Sequence, residues 1–148
     1  MKKTLHSSIF GTLTFDDELF DPPIYFVERE IPGHGSACVT LVAPPNIDPD
    51  WESLLCAAES TYPLVIDNEA SIRQQVAPSL LELHRTCYRD EWRGTAEELV
   101  SSIRLQHLNF FPDGSLELWY AGGPPFHLRA VRLLLDAGFC LKEVGLET

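Results

Sequence analysis

Nucleophilic or metal chemistry in this chain would fall to four cysteines, Cys38, Cys56, Cys87 and Cys140, and five histidines, His6, His34, His84, His107 and His127. Cysteine–histidine catalysis needs a thiol of lowered pKa with a base beside it in space. No spacing here selects one such pair. There is no Cys-x-x-Cys and no His-x-x-x-His. His84 and Cys87 stand three residues apart on a predicted helix, which is half of a zinc pattern. A structural zinc takes about four ligands, and no second local pair accompanies this one. The competing reading puts Cys87 in the helix's apolar stripe with His84 beside it. Gly-x-Ser-x-Gly, a Walker-type loop, a dinucleotide fingerprint and His-Glu-x-x-His are all missing from the sequence. No metal, cofactor or catalytic residue is expected.

Carboxylates are the other chemical resource. The 148 residues hold 22 acids against 11 lysines and arginines, a formal charge of -11 and a pI near 4.7. With so many acids, spacing cannot single out an acid–base pair. The densest cluster is Asp16, Asp17, Glu18 and Asp21; Asp48, Asp50 and Glu52 form a second, and Asp90 and Glu91 a third. Asp16 to Asp21 lacks the alternating ligands, internal glycine and distal Glu of a calcium loop. The charge repels nucleic acid and anionic membranes and attracts a basic protein. Phe20, Tyr25 and Trp51 lie next to acids. The expected partner surface is therefore Asp16, Asp17, Glu18, Phe20, Asp21, Tyr25, Asp50 and Trp51. The competing reading of each cluster is a solvated surface that keeps the chain soluble.

The elements that must position these residues follow from periodicity. Ile9, Leu13 and Phe15 fall at even spacing and read as a strand, with Phe10 breaking the alternation. Residues 24–31 and 37–43 read as two further strands, separated by the turn Pro32-Gly33-His34-Gly35, so the front portion is an antiparallel meander. Asp48-Pro49-Asp50 reads as a helix start, Asp48 capping and Pro49 at the first position. A break is expected near Thr61-Tyr62-Pro63. A second helix carries the stripe Ile72, Val76, Leu80, Leu83, Cys87, with a kink or fresh start at Pro78. Thr95-Ala96-Glu97-Glu98 has capping-box form. The tail returns to strands: Asp113-Gly114 marks a hairpin, and Leu116, Leu118 and Tyr120 share a face opposite Trp119. Residues 127–135 and 139–146 read as two more strands. The fold class is α+β, an antiparallel sheet from N- and C-terminal strands packed against a central helical segment.

Phe10-Gly11-Thr12-Leu13, the helical middle ending near Trp92, Glu97-Glu98-Leu99, Pro112-Asp113-Gly114-Ser115 and Phe126-His127 together resemble a widespread bacterial family, a domain of unknown function. The family shows a Phe-Gly-x-Leu opening, an Asp-Gly turn and a Phe-x-x-His segment; here the spacer before His127 is missing. The resemblance implies no catalytic residues. Some similar small acidic bacterial proteins lie beside toxin genes and act as immunity proteins, an analogy at family level.

Length and composition complete the expectations. A chain of 148 residues is one domain, 1–148, and 45% hydrophobic content with 8 Phe, 4 Tyr and 3 Trp is that of a folded body. The cysteines read as free, mostly buried thiols of a reducing compartment. Met1-Lys2-Lys3 is not followed by the apolar stretch of a signal peptide, and no run approaches the ~20 apolar residues of a membrane span. A cytoplasmic location follows. The functional expectation is an acidic partner-binding protein, most concretely an immunity-type inhibitor of a basic toxin. The alternative is a small enzyme or ligand-binding domain with an apolar pocket between sheet and helices, to be recognised by histidines and thiols converging in one cleft. An exposed apolar face centred on Trp119 would instead favour self-assembly. The sequence does not fix the oligomeric state.

Overall fold

A computed structural model describes residues 3–45, 48–89 and 92–147. Eight strands form one sheet in sequence order: β1 Thr4–Ser7, β2 Gly11–Asp16, β3 Ile24–Ile31, β4 Gly35–Val42, β5 Arg104–Phe110, β6 Leu116–Ala121, β7 Ala130–Leu135 and β8 Leu141–Glu147. Neighbours are antiparallel except β4 and β5, which run parallel. That one parallel pairing requires a crossover, and the chain supplies it with two helices, α1 Trp51–Tyr88 and α2 Ala96–Ser101. The architecture is α+β.

The hairpins obey local chemistry. Gly33 and Gly35 take positive φ in the β3–β4 turn, and Gly114 does so between β5 and β6. β1 was not anticipated. Ile9 and Phe10 belong to the turn that joins β1 to β2, not to a strand over 9–15. The Ser7 hydroxyl accepts the N–H groups of Ile9 and Phe10, at 3.1 and 2.9 Å, and turns the chain. Phe10 is thereby fully buried, edge-on to Tyr62 at 4.9 Å. At the tail, a 3-10 turn at Pro124–Phe126 delays β7 to Ala130.

α1 is a single helix of 38 residues, so the break expected near Pro63 and the fresh start at Pro78 are both absent. Both prolines point to solvent, where the carbonyls that lose an N–H partner can be hydrated. Leu54, Leu55, Ala58, Val65, Glu69, Ile72, Val76, Leu80, His84 and Tyr88 keep one buried side running through both prolines. Continuous burial of that side outweighs the local helix penalty. The stripe ends on His84 and Tyr88, not Leu83 and Cys87; Cys87 is exposed and His84 is only 1% exposed. The reason is polar: His84 Nε2 donates to Pro125 O at 2.6 Å and Tyr88 OH to Phe126 O at 2.9 Å. The cap of α1 is Asp50, which accepts from Ser53 N at 3.1 Å; Asp48 does not cap. α2 begins with the expected Thr95/Glu98 capping box.

One buried cluster draws on both sheet and helices. Tyr25, Val39, Leu41, Leu108, Leu118, Tyr120 and Leu133 share the core face of the sheet. Trp51 meets Tyr25 at 4.8 Å between ring centroids, and Glu69 of α1 accepts from Tyr120 OH at 2.7 Å. The alternate residues form the outer face. No helix among the described residues is long and apolar enough to cross a membrane.

Candidate functional site

Strand register sets the outer face in transverse rows. Glu28, Cys38, His107, Trp119 and Arg132 pair across β3 to β7. Phe26, Thr40, Asn109, Glu117 and Leu134 form the next row. Between these rows and the β2–β3 loop lies an open cleft of about 610 Å³. Phe20, Phe26, Phe111 and Trp119 wall it, Asp21 stands at its rim, and Thr40, Asn109, His107 and Glu117 supply its polar groups.

Glu117 is the organising group, 8% exposed on the strand between two apolar neighbours. Its Oε1 accepts from Asn109 Nδ2 at 2.9 Å and from Trp119 Nε1 at 2.6 Å, and its Oε2 from Arg132 Nε at 2.5 Å. Burial alone would raise its pKa; the bonds from Trp119, Asn109 and Arg132 outweigh burial and hold it below the usual carboxylate range. Arg132 is shared with Glu143 at 3.5 Å.

Cys38 and His107 are the one cysteine–histidine pair that the described residues bring into this cleft. Burial, the largest effect, pushes the Cys38 thiol up; the Thr40 hydroxyl at 3.7 Å opposes it and Glu28 adds to it. A raised thiol pKa is the reverse of what an activated nucleophile requires. The other histidines are elsewhere: His84 under the Pro124–Phe126 turn, His127 stacked on Tyr88 at 4.3 Å, His6 beside Thr12. All four thiols are free, as expected, but Cys56, Cys87 and Cys140 are exposed and Cys38 half-buried, so the expectation of mostly buried thiols is corrected. The cleft lies on the outer face, not between sheet and helix.

A second polar centre is buried in the core. Leu105 N donates to His34 Nδ1 at 2.8 Å, which places the imidazole proton on Nε2, and Nε2 donates to Glu69 Oε1. Glu69 Oε2 accepts from Tyr120 OH and lies 2.9 Å from Arg73 Nε, an ion pair whose N–H is not aligned on the oxygen. Desolvation first, then Glu69, push the Tyr120 phenol well up. All groups but Arg73 are closed off from solvent, and they tie the β3–β4 turn, α1 and β6 together. Among the described residues no cluster of His, Cys, Asp and Glu is arranged to hold a metal ion.

The expected partner surface is divided by the fold. Asp16, Asp17, Glu18, Phe20 and Asp21 sit on or beside the β2–β3 loop, where Asp16 Oδ1 accepts the N–H groups of Glu18 and Leu19 at 3.0 Å each. Phe20 is 48% exposed and Leu19 82%. Asp21 and Asp48 line one shared depression, so the first two acidic clusters meet at one end of the sheet. Asp50 is there too, exposed but engaged as the helix cap. Tyr25 is 6% exposed and faces the core, so its ring is not at the surface, and half-buried Trp51 packs against Tyr25 and Phe15. Asp90 and Glu91 lie outside the described residues. The sequence reading missed the Glu117 centre, although the alternation over 116–120 already placed Glu117 and Trp119 on one face. It missed His34–Glu69 because 35 residues separate the partners. Comparison of the chain with protein-family models, with curated proteins and with solved structures found no match.

Proposed function

We propose that this chain is an acidic, cytoplasmic partner-binding protein, and that it docks a basic protein on the outer face of its sheet. A central helix laid against the core face leaves the outer face free for this. The observation that carries the reading is the distribution of charge by register. Asp16, Glu28, Glu30, Glu117, Glu143 and Glu147 all belong to the outer face. Arg104 and Arg132 oppose them there, and both are engaged: Arg104 donates to Gly33 O at 2.7 Å, and Arg132 holds Glu117 and Glu143. Such a face speeds encounter with a cationic surface and rejects polyanions. It also repels its own copy, which argues against self-assembly through the Trp119 side. An immunity-type inhibitor that occludes a basic toxin is the most concrete form of this function. The convergence of Cys38 and His107 favours a small-ligand pocket as a second reading, while the raised thiol speaks against covalent catalysis there.

The experiment is capture from host lysate on the immobilised protein, with two charge-reversed variants alongside. Glu28→Lys/Glu30→Lys alters the outer face; Asp67→Lys/Glu82→Lys makes the same charge change on exposed positions of α1. The expected result is one basic partner, retained by the wild type and the α1 variant, lost by the outer-face variant, and associating more slowly as salt rises past the ~8 Å screening length of 0.15 M. Equal capture by all three, or an association rate indifferent to salt, overturns the proposal.

A further inference from the structure

The cleft at the centre of the outer face has a lopsided hydrogen-bonding inventory. Two of its side-chain donors are already turned toward one anion: Trp119 Nε1–H and the Asn109 amide N–H both go to Glu117 Oε1, while His107 and the Thr40 hydroxyl each keep a donor as well as an acceptor. Its acceptors remain. They are the Asp21 carboxylate at the rim, the Asn109 amide oxygen, the Thr40 hydroxyl oxygen and the second lone pair of Glu117 Oε2. The walls are aromatic, and the Trp119 indole donates to a carboxylate, which makes its ring face more electron-rich. A ligand that fits must bring donors, carry positive charge and cover apolar surface.

We propose that the cleft is the anchor subsite for one arginine side chain of the partner. This deepens, and rests on, the reading of the outer face as the docking face. Arginine is preferred over lysine because its guanidinium is weakly hydrated, stacks on aromatic faces and offers five donors in one plane. The acidic face surrounding the cleft is complementary to that charge, and a volume of about 610 Å³ accepts a whole arginine side chain with room for its flanking backbone. A buried aromatic-lined anchor ringed by charged residues is the form in which interfaces concentrate their affinity.

The test uses the full chain and small probes. N-acetyl-arginine methylamide, its citrulline counterpart and its norleucine counterpart are titrated while the Trp119 indole N–H is followed by NMR. That signal is assigned by elimination from Trp51→Phe and Trp92→Phe variants, so Trp119 itself stays in place. The expected result is a saturable shift with the arginine probe, about tenfold weaker binding of citrulline and norleucine, and a several-fold loss with Asp21→Asn, a substitution at an exposed rim position. Norleucine binding as well as arginine, or no probe shifting Trp119, overturns the subsite. The two proposals fail separately. Face-dependent capture without arginine binding removes the subsite alone; arginine binding with face-independent capture removes the docking reading and leaves the cleft an arginine site that does not anchor the partner.

Discussion

Glu69 is a carboxylate on a stripe made mostly of Leu, Val, Ile and Ala, and it survives there because two donors, His34 and Tyr120, and the charge of Arg73 meet it. A buried anion so held contributes little net stability while intact, but removing its charge strands its partners. Glu69→Gln is expected to lower unfolding stability by about 3 kcal/mol, against about 1 kcal/mol for Tyr120→Phe, which leaves the His34 bond and the Arg73 ion pair in place. Urea unfolding of the two variants checks the order; a Tyr120→Phe loss as large as that of Glu69→Gln would contradict it. Glu117 makes a pH-dependent counterpart. Its folded pKa is depressed, so its stabilisation is fully present above the unfolded value near 4.3 and is lost as pH falls through the lower folded value. Glu117→Gln should therefore lower stability at pH 7 and flatten the acid side of the stability–pH curve below about pH 4.5. Only the local part of each centre was legible in sequence: Trp119 two residues from Glu117 on one strand, and Arg73 four residues from Glu69 on one helix. The remaining partners lie on other strands or in the β3–β4 turn, and a single sequence carries no sign of which distant histidine, asparagine, tyrosine or arginine will arrive.

Strands and turns were more legible than the helix, because their signals are local. The Asp-Gly hairpin, the Gly33 and Gly35 turn and the Thr95/Glu98 box each depend on a few adjacent residues, and each stands where its residues place it. Proline misled the reading of α1 because an isolated propensity was weighed without the burial on the opposite side of the helix. Within α1, Pro63 and Pro78 deny N–H donors to the carbonyls of Glu59 and Gln74, on an exposed side where no packing compensates. Alanine at either position restores the bond, offset by a more flexible unfolded chain. Pro63→Ala and Pro78→Ala are each expected to raise stability by about 1–2 kcal/mol, seen as a higher Tm. A lower Tm would show that the prolines set a bend the core requires. The parallel β4–β5 junction was the other illegible element. It brings Cys38 beside His107 and so makes the cleft, and nothing in either strand announces its partner.

At the scale of the molecule, net charge was legible and its placement was not. The sequence gives -11; register decides that the outer face and one end of the sheet carry much of it. Concentrated like charge opposes folding, so each exposed carboxylate there should be slightly destabilising at low salt. A surface kept only for solubility would tolerate relief of that repulsion, whereas a docking face would lose its partner. Glu28→Lys separates the two. It is expected to raise stability by a few tenths of a kcal/mol in dilute buffer, with the gain fading as salt approaches 0.5 M. It should also slow partner association about tenfold. Thermal melts at two ionic strengths and stopped-flow association on one preparation give both readouts. A stabilised protein with unchanged association would mean that the outer face is acidic for solubility alone; a stabilised protein that binds more slowly would mean that the chain retains unfavourable charge because its partner is cationic.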